Sequence, residues 1–327
     1  MDSSLKYVEK KKSIAVILSA YSGHKYIATQ VNSILNQEYN MDEYQLKLYI
    51  RDDSKYKDEK MDKYLRSLKA DSRVVILSKN TENIGVKKSF YELLKYVKSD
   101  YYFFSDQDDI WEKNKISTFM SQFKLLDSKI PALIYSDLLL IDSENNSLES
   151  TMKDTVGKNR NSNSFFNRLL DDAITGASMA INQSLRNVVM DDRNYFNKIV
   201  MHDSYLGIVA SLIGNIVFID KPLTRYRQHD NNVVGIKTIN YNRLNPFKYI
   251  NRYQWVTQHY KQAIIAKHCL EKHNLLPKPE NKNLLQALND LSSSKRFSYK
   301  NYSELVYNAR GITDKVVVSY QWLVGIK

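Results

Sequence analysis

The sequence predicts an α/β fold in which a mostly parallel central sheet is flanked by helices. In the first half of the chain, short β-rich runs alternate with segments whose apolar residues recur at helical spacing. Such alternation favours parallel strands joined by crossover helices that cover both faces of the sheet. The 327 residues, 43% hydrophobic and 26% charged, can bury a sizeable core, which excludes a disordered or fibrous chain.

The elements are expected in a regular order along the first half. Strands are predicted at 13–21, 45–53, 73–79, 100–109 and 132–142, with helices at 24–38, 86–97 and 112–127. Farther on, the pattern predicts a mobile polar loop at 143–163, a strand at 174–182, a helix at 201–214, a strand at 215–220 and a polar turn at 224–232. Beyond about residue 240 the pattern is helical and basic. We therefore divide the chain into a catalytic α/β domain, 1–235, and a helical C-terminal extension, 236–327.

Positive charge is concentrated in the C-terminal part. The formal net charge is +12, and residues 237–300 hold 12 Lys or Arg against 3 Asp or Glu. A basic segment beside a nearly neutral body indicates an anionic partner, namely a membrane surface, a nucleic acid or a polyanionic substrate. The alternative is a solvated helical face with no partner.

The remaining composition points to a reducing compartment. The chain has a single cysteine, Cys269, which excludes an intramolecular disulfide framework and cysteine-rich zinc sites. The polar start, residues 1–13, is not expected to be a signal peptide, and the longest apolar stretch, 206–219, is too short to span a bilayer. We expect a soluble, cytoplasmic protein, with peripheral association at the inner face of the membrane as an added expectation.

Three polar clusters follow predicted strands, at Asp52–Asp53, Asn80–Gly85 and Asp106–Asp109. The carboxyl ends of parallel strands meet at one edge of a sheet, where ligands bind. The strongest cluster is SDQDDIW, 105–111, whose oxygens suit Mg²⁺ or Mn²⁺ together with phosphate. The alternative is an acidic helix N-terminus with no ligand. We expect Asp109 to be the cap, and Asp106 and Asp108 to face a ligand.

Two later segments carry further candidates. His202 and Asp203 open an apolar helix, where Asp203 is either an N-cap or a general base toward a hydroxyl. Arg225 and Arg227 alternate on a strand and could meet phosphates, and His229 follows in a polar turn. The chain has no Walker-type phosphate loop, GxGxxG, HExxH or GxSxG motif, which argues against ATP hydrolysis, dinucleotide redox chemistry, zinc proteolysis and serine hydrolysis.

Taken in order, these motifs resemble a known family. SIAVILSAY, IRDDS, NxxNIGVKKSF, FFSDQDDIW and HDSYL are similar to inverting nucleotide-sugar glycosyltransferases of family 2, which have the GT-A fold. The resemblance spans roughly residues 13–230. The SDQDDIW and YRQHxxN forms look most like bacterial cell-wall polysaccharide glycosyltransferases, including rhamnosyltransferases.

The resemblance implies roles for individual residues. Asp203 would be the catalytic base and Asp108 the ligand of Mn²⁺ or Mg²⁺, with His229 as a second metal or diphosphate contact. The donor-binding residues would be Ser19, Tyr21, Asp53, Asn83, Gly85, Asp106 and Gln107. Trp111, Gly176 and His202 would lie near the acceptor or the sugar. The chain has His202 where many members have Glu, and SAYS replaces the commoner form of the first motif.

The implied activity is metal-dependent transfer, with inversion, from a UDP- or dTDP-sugar such as dTDP-rhamnose. The acceptor would be a hydroxyl of a glycan, a lipid-linked or a protein-linked molecule, in surface polysaccharide or glycoconjugate synthesis. One alternative is a sugar-nucleotide pyrophosphorylase, whose first loop should be rich in glycine, whereas SAYSGHKY has one. The other is a basic nucleic-acid-binding protein, but no RNA-binding signature occurs, so no nucleic-acid partner is expected.

Overall fold

The computed structural model describes residues 10–54, 58–77, 82–156, 164–170, 174–190, 193–228, 246–292, 303, 305–307 and 311–324. Within these ranges, nine strands form one sheet. They are β1 Lys12–Ala20, β2 Tyr44–Asp52, β3 Val74–Ile76, β4 Tyr101–Ser105, β5 Ile110–Trp111, β6 Ala132–Ile141, β7 Ser147–Thr151, β8 Met179–Asn182 and β9 Asn215–Arg227.

Twelve α-helices of more than one turn lie in the same ranges. They are α1 Ile27–Leu35, α2 Glu59–Leu68, α3 Val86–Tyr96, α4 Lys115–Phe123, α5 Met152–Val156, α6 Phe165–Leu170, α7 Gln183–Val189, α8 Arg193–Lys198, α9 His202–Ile213, α10 Pro246–Lys272, α11 Lys282–Ser292 and α12 Gly311–Val324. Of the helices described, none combines the length and the apolar composition that a membrane crossing requires.

The strand order across the sheet is β3-β2-β1-β4-β8-β6-β9-β5, and β7 pairs with β6 beside this path. Strands β1 to β4, β6 and β9 run in one direction, as the pairings of β1 with β2 and β4, of β2 with β3, and of β6 with β9 are parallel. Strands β5, β7 and β8 run the opposite way. The predicted α/β fold with a mostly parallel sheet is therefore confirmed, and the short antiparallel strand β8 separates β4 from β6.

The sheet has a hydrophobic cluster on each face. Successive residues of β1 alternate between them, as the two-residue repeat of a strand requires, with Val16 in one cluster and Ile17 in the other. On the Ile17 face, Tyr260 and Ala263 of α10 belong to the same buried cluster as Phe104 of β4. The described C-terminal helices thus share a core with the sheet. The predicted boundary at 235/236 falls in 229–245, outside the described residues.

Several predicted elements differ from the structure. Part of the segment 143–163, predicted to be a mobile loop, forms β7 and α5. Strand β7 pairs antiparallel with β6, outside the main strand order of the sheet. In the predicted strand at 174–182, residues Gly176–Ser178 form a 3-10 turn and only β8 is extended. The predicted strand and turn between 215 and 228 are one long strand, β9. In each case the pairing partner, which periodicity does not reveal, decides the conformation.

Candidate active site

The polar clusters predicted after separate strands come together at the carboxyl edge of the sheet. The parallel register brings the end of β1 at Ala20 beside the end of β2 at Asp52. Strand β4 ends at Ser105, next to β1, and is followed by the acidic turn, Asp106–Asp109. Because β8 runs the opposite way, the 3-10 turn that precedes it also lies at this edge.

The acidic turn holds carboxyl groups at close quarters. Burial, together with the charges of Asp108 and Asp203, raises the pKa of Asp106 to about 7. Burial also raises the pKa of Asp109 well above its ordinary value, although Asp109 accepts a 3.1 Å hydrogen bond from the Arg227 backbone N–H. The charge of Asp203 on α9 thus acts on the acidic turn, where burial and neighbouring carboxylates disfavour further negative charge.

Asp109 does not act as a helix cap. Helix α4 begins at Lys115, with Asn114 as its N-cap residue, and the short strand β5 lies between it and the acidic turn. The Asp109 side chain is buried and binds the backbone of β9 instead. The alternative interpretation of SDQDDIW as an acidic helix start is therefore wrong for Asp109.

Arg227, expected to be a phosphate contact, is buried behind the acidic turn. Its Nε donates to the Asp108 carbonyl oxygen at 2.7 Å, and its Nη1 donates to the carbonyl of Asp142 at 2.9 Å. Its Nη2 donates to Oδ1 of Asn145 at 2.7 Å, and its guanidinium carbon lies 4.3 Å from the Tyr26 ring centroid. The five N–H groups of arginine suit this role, since they bind several carbonyl oxygens in fixed directions. Arg227 therefore holds the backbone of the acidic turn.

Lys115 is a functional candidate that the sequence analysis missed. Its side chain is fully buried, and Nζ donates to the Ala177 carbonyl at 2.8 Å and to Oγ1 of Thr224 at 2.7 Å. Nζ also lies 4.0 Å from the Trp111 ring centroid. Burial lowers the pKa of Lys115 to about 7, while the charges of Asp109 and Asp106 oppose that shift. Lysine 115 lies one helical turn before Phe119, a buried residue, and this i, i+4 spacing could have indicated an inward position.

Asp203 is half-buried at the start of α9. Its Oδ2 accepts a 2.9 Å hydrogen bond from the backbone N–H of Gly176, and its Oδ1 accepts one of 2.8 Å from the Ser204 N–H. Met201, rather than Asp203, is the N-cap residue of α9, so the capping alternative does not hold. The hydrogen bond from Gly176 orients the carboxylate toward the edge of the sheet where the acidic turn lies.

Gly176 and His202 pack tightly beside Asp203. The His202 ring is buried and stacks on Phe90, with 4.4 Å between ring centroids. A Cβ atom on Gly176 would lie 2.9 Å from His202 Nε2 and 3.5 Å from Asp203 Oδ2. Position 176 therefore favours glycine, because a Cβ atom there would push the buried His202 ring and touch the Asp203 carboxylate.

The β1–α1 loop, Tyr21–Tyr26, lies against the acidic turn. The side chain of Tyr21 is 51% exposed, and its backbone makes two hydrogen bonds with the carboxamide of Gln107. Ser19 at the end of β1 donates from Oγ to Oγ of Ser89 on α3, at 2.7 Å. The structure thus brings Tyr21 and Gln107 together and turns the Ser19 hydroxyl toward α3.

Asp53, Asn83 and Gly85 form a second group at the edge. The buried Asp53 carboxylate accepts hydrogen bonds from the backbone N–H groups of Ile84, at 3.2 Å, and Gly85, at 2.8 Å. Asn83 Oδ1 also accepts from the Gly85 N–H, at 2.7 Å. Gly85 is the N-cap of α3 and has a φ of +82°, a conformation that favours glycine. Asp53 therefore fixes the turn that starts α3.

Three predicted residues lie elsewhere or outside the described ranges. Trp111 is buried in the core, with its ring centroid 6.0 Å from that of Phe103. Its size and flatness suit a core position as well as a sugar platform, and sequence alone does not separate the two. Arg225 forms a 2.7 Å ion pair with Glu112 on the surface. His229 lies outside the described residues.

The chemistry of the site fits a divalent cation. Hard carboxylate oxygens suit Mg²⁺ and Mn²⁺, and a cation would neutralise the negative charges of Asp108 and Asp203 that, after burial, raise the pKa of Asp106. Within the described ranges, no three His, Cys, Asp or Glu side chains are grouped closely enough to bind a metal by themselves. Mg²⁺ commonly binds through one or two carboxylates together with substrate phosphates, so a diphosphate would supply the missing oxygens.

Comparison with known proteins agrees with this geometry. Residues 15–133 match the model of glycosyl transferase family 2. The chain is 26% identical over 226 residues to the dTDP-rhamnosyl transferase RfbG of Shigella flexneri, an alignment that covers 67% of this chain and 73% of that protein.

Solved structures support the same fold. The structure of residues 1–349 of S. aureus TarS in complex with UDP matches with a TM-score of 0.52 and 12% identity, over 95% of this chain and 90% of that chain. Its complex with UDP-GlcNAc matches with a TM-score of 0.50 and 13% identity, over 90% and 80%. The GT-A-type fold is therefore confirmed. Residues 15–133 therefore carry a glycosyl transferase family 2 domain, and two thirds of the chain are similar to a dTDP-rhamnosyl transferase.

Proposed function

We propose that the chain transfers a sugar, with inversion, from a nucleotide-diphosphate donor to a hydroxyl group of an acceptor. The observation that carries this proposal is the position of Asp203 relative to the acidic turn. Asp203 accepts a hydrogen bond from Gly176, whose turn lies at the same edge of the sheet as the acidic turn, and after burial the charges of Asp108 and Asp203 raise the pKa of Asp106, which supports one site for these carboxyl groups. An inverting transfer needs two groups. One stabilises the negative charge of the leaving diphosphate, and the other is a base that removes the proton of the acceptor hydroxyl.

Asp108 is the residue that we assign to the cation. Its side chain is half-buried, and its carbonyl oxygen is fixed by Arg227, so the carboxylate projects from a restrained backbone. Asp106 would contact the ribose or the sugar of the donor. A bound Mg²⁺ or Mn²⁺ would neutralise the charge that develops on the leaving diphosphate.

Asp203 acts as the general base in the proposed reaction. Its carboxylate takes the proton of the acceptor hydroxyl while that oxygen forms a bond to the anomeric carbon. The bond from this carbon to the diphosphate oxygen breaks, and the nucleoside diphosphate leaves with the electron pair. Because attack and departure occur on opposite faces of the sugar, the anomeric configuration inverts. The N–H of Gly176 holds the base in place.

The donor that we propose to test first is dTDP-rhamnose. The supporting observation is the similarity to the dTDP-rhamnosyl transferase RfbG, which spans two thirds of the chain. A panel of dTDP- and UDP-sugars, scored for donor hydrolysis and thermal shift with Mn²⁺ or Mg²⁺, would identify the donor. Release of nucleoside diphosphate is expected, whereas release of pyrophosphate would indicate a pyrophosphorylase instead.

The roles of Asp203 and Asp108 are tested with three matched substitutions. Asp203→Asn should lower the transfer rate by about 100-fold or more and leave donor affinity nearly unchanged, since an amide cannot accept the proton. Asp108→Asn should abolish the metal-dependent increase in donor binding. Asp220→Asn, at an exposed residue that pairs with Lys153, is the control and should behave as wild type. Wild-type transfer by Asp203→Asn would exclude Asp203 as the base.

We also propose that the C-terminal helices contact an anionic membrane near a lipid-linked acceptor. Lys261, Lys272 and Lys282 are exposed on α10 and α11, whereas Lys267 forms an ion pair with Glu271. Basic side chains near an anionic surface contribute about 1 kcal/mol each, and salt screens them. Co-sedimentation with phosphatidylserine vesicles should therefore decrease as salt increases. If the protein does not bind the vesicles at low salt, the basic surface of α10 and α11 is a solvated face without a membrane partner.

A further inference from the structure

Gln107, the second residue of the acidic turn, makes two hydrogen bonds with the β1–α1 loop. The Gln107 carboxamide accepts a 2.7 Å hydrogen bond from the Tyr21 N–H through Oε1. It donates a 2.8 Å hydrogen bond to the Tyr21 carbonyl through Nε2. One side-chain amide thus pairs with both main-chain groups of a single residue, as a neighbouring strand would. Such two-point pairing fixes orientation as well as distance.

Gly23 provides the space for this contact. A Cβ atom on Gly23 would lie 2.0 Å from Gln107 Oε1 and 2.1 Å from its Cδ. The carboxamide therefore lies flat against the loop backbone, and any side chain at position 23 would displace it. Because the displaced atoms are the far end of a flexible side chain, the protein could accommodate the change without unfolding.

The loop is also held from the side of β2. The Ser22 N–H donates to Oγ of Ser54 at 2.8 Å, and Ser22 has a φ of +48°, in the left-handed region. The Asp53 N–H donates to the Ala20 carbonyl at 2.8 Å. The loop is therefore fixed by one residue that follows β2 and by one that follows β4.

We infer that Gln107 is a positioning residue that fixes the β1–α1 loop relative to the acidic turn. The two ends of the donor nucleotide would then contact two segments whose separation is already set. This inference rests on the proposed function. Tyr21 is half-exposed on the loop, beside the turn that carries Asp106 and Asp108. A donor that contacts both segments binds best when their separation is fixed in advance, since ordering them on binding would weaken affinity.

The two polar atoms of the Gln107 carboxamide are already engaged with Tyr21, so Gln107 acts through the loop. A purely structural role would give a different result from positioning. The contact lies at an exposed loop, where loss of two neutral hydrogen bonds disturbs global stability little compared with loss of core packing. Its effect should instead appear in affinity for ligands that span the loop and the turn.

The test compares Gln107→Ala, Gly23→Ala and the double variant, with Gln45→Ala on the exposed side of β2 as the control. Each single substitution should weaken binding of a nucleoside diphosphate with Mn²⁺ by about 10-fold, as expected for two hydrogen bonds, and raise the donor KM similarly. The value of kcat at saturating donor should change by less than about threefold. Binding of the corresponding nucleoside alone should change little, because it does not span both segments.

The double variant gives the decisive comparison. If Gly23 serves only to seat Gln107, the double variant should be no weaker than either single one, because the contact is lost once. Multiplied losses would show that the two positions act independently and would overturn the inference. Unchanged affinity in Gln107→Ala, or an equal loss for the nucleoside alone, would overturn it as well.

Two checks separate this inference from the function on which it rests. If the wild type binds no nucleoside diphosphate, the proposed function fails; if wild type and variants bind it equally, only the positioning role fails. If Gln107→Ala does not fold, Gly23→Ala carries the test, because it displaces the same carboxamide and leaves every other side chain in place. A wild-type affinity in folded Gly23→Ala would then refute the inference.

Discussion

The buried lysine behind the acidic turn should make the stability of the protein depend on pH. Lys115 is fully buried, and its pKa falls from 10.5 to about 7. In the unfolded chain the amine keeps its ordinary pKa, so between pH 7 and 10.5 the unfolded state binds more protons than the folded state. Stability should therefore increase with pH in this window, by up to about 1.4 kcal/mol per pH unit from this group.

Lys115→Met removes the titrating group and retains a side chain of similar length. Between pH 7.5 and 9.5, the free energy of unfolding of the wild type should rise by about 2.5 kcal/mol relative to that of Lys115→Met. Urea unfolding at pH 7.5, 8.5 and 9.5 and at constant ionic strength measures this difference. Lys113→Met, at an exposed position next to α4, is the control and should give a profile parallel to that of the wild type.

Parallel profiles for wild type and Lys115→Met would refute the reasoning. They would mean that the ammonium stays charged in the folded protein, held by the carboxylates of Asp106 and Asp109.

The Lys115→Met substitution has a second consequence. The charge of Lys115 lowers the pKa of Asp106 and of Asp109, so without it these carboxyl groups should ionise at higher pH. The pH profile of transfer by Lys115→Met should move upward accordingly.

Two further substitutions test the supports of the site. Gly176→Ala should reduce transfer at least about 10-fold with a small change in melting temperature, because the new methyl group would displace the His202 ring, which lies next to Asp203 in the chain. Wild-type transfer would show that this close packing does not set the position of the base. Arg227→Lys should lower the free energy of unfolding by about 2–4 kcal/mol in urea titrations, because lysine cannot reach the same set of carbonyl oxygens. It should also weaken Mn²⁺-dependent nucleotide binding through Asp108, and unchanged metal dependence would contradict the support that we assign to Arg227.

The sequence was most informative where local pattern and topology agree. The run at 13–21 became β1, Lys12–Ala20, and the helical spacing at 86–97 became α3, Val86–Tyr96. Apolar residues at these positions are buried, as the two- and 3.6-residue repeats require. The rule that strand ends converge in a parallel sheet also predicts that Asp53 and Asp106 lie at one edge of the sheet, whereas the role of Asp203 follows only from the family resemblance.

Long-range pairing accounts for what the sequence did not predict. Met179–Asn182 gives no sign of its direction, and only its pairing with both β4 and β6 makes it antiparallel. Likewise, Arg227 and Lys115 have side chains that are usually exposed, so their burial depends on acceptors supplied by distant segments. The sequence predicts that Gln107 contacts the donor. Its pairing with Tyr21 joins two loops that are far apart in the sequence, so local pattern does not reveal it.

The reversed direction of β8 has a consequence for how such an enzyme can change its substrates. Under the proposed reaction, donor contacts come from segments that follow β1, β2 and β4, spread over more than eighty residues. The backbone group that orients the base comes from the turn before β8, at the end of the segment that follows β7. Replacement of that contiguous stretch would alter the surroundings of the base and spare the donor half. Acceptor preference is therefore the property that a single segment exchange could alter, whereas donor preference would require coordinated changes at three separate places.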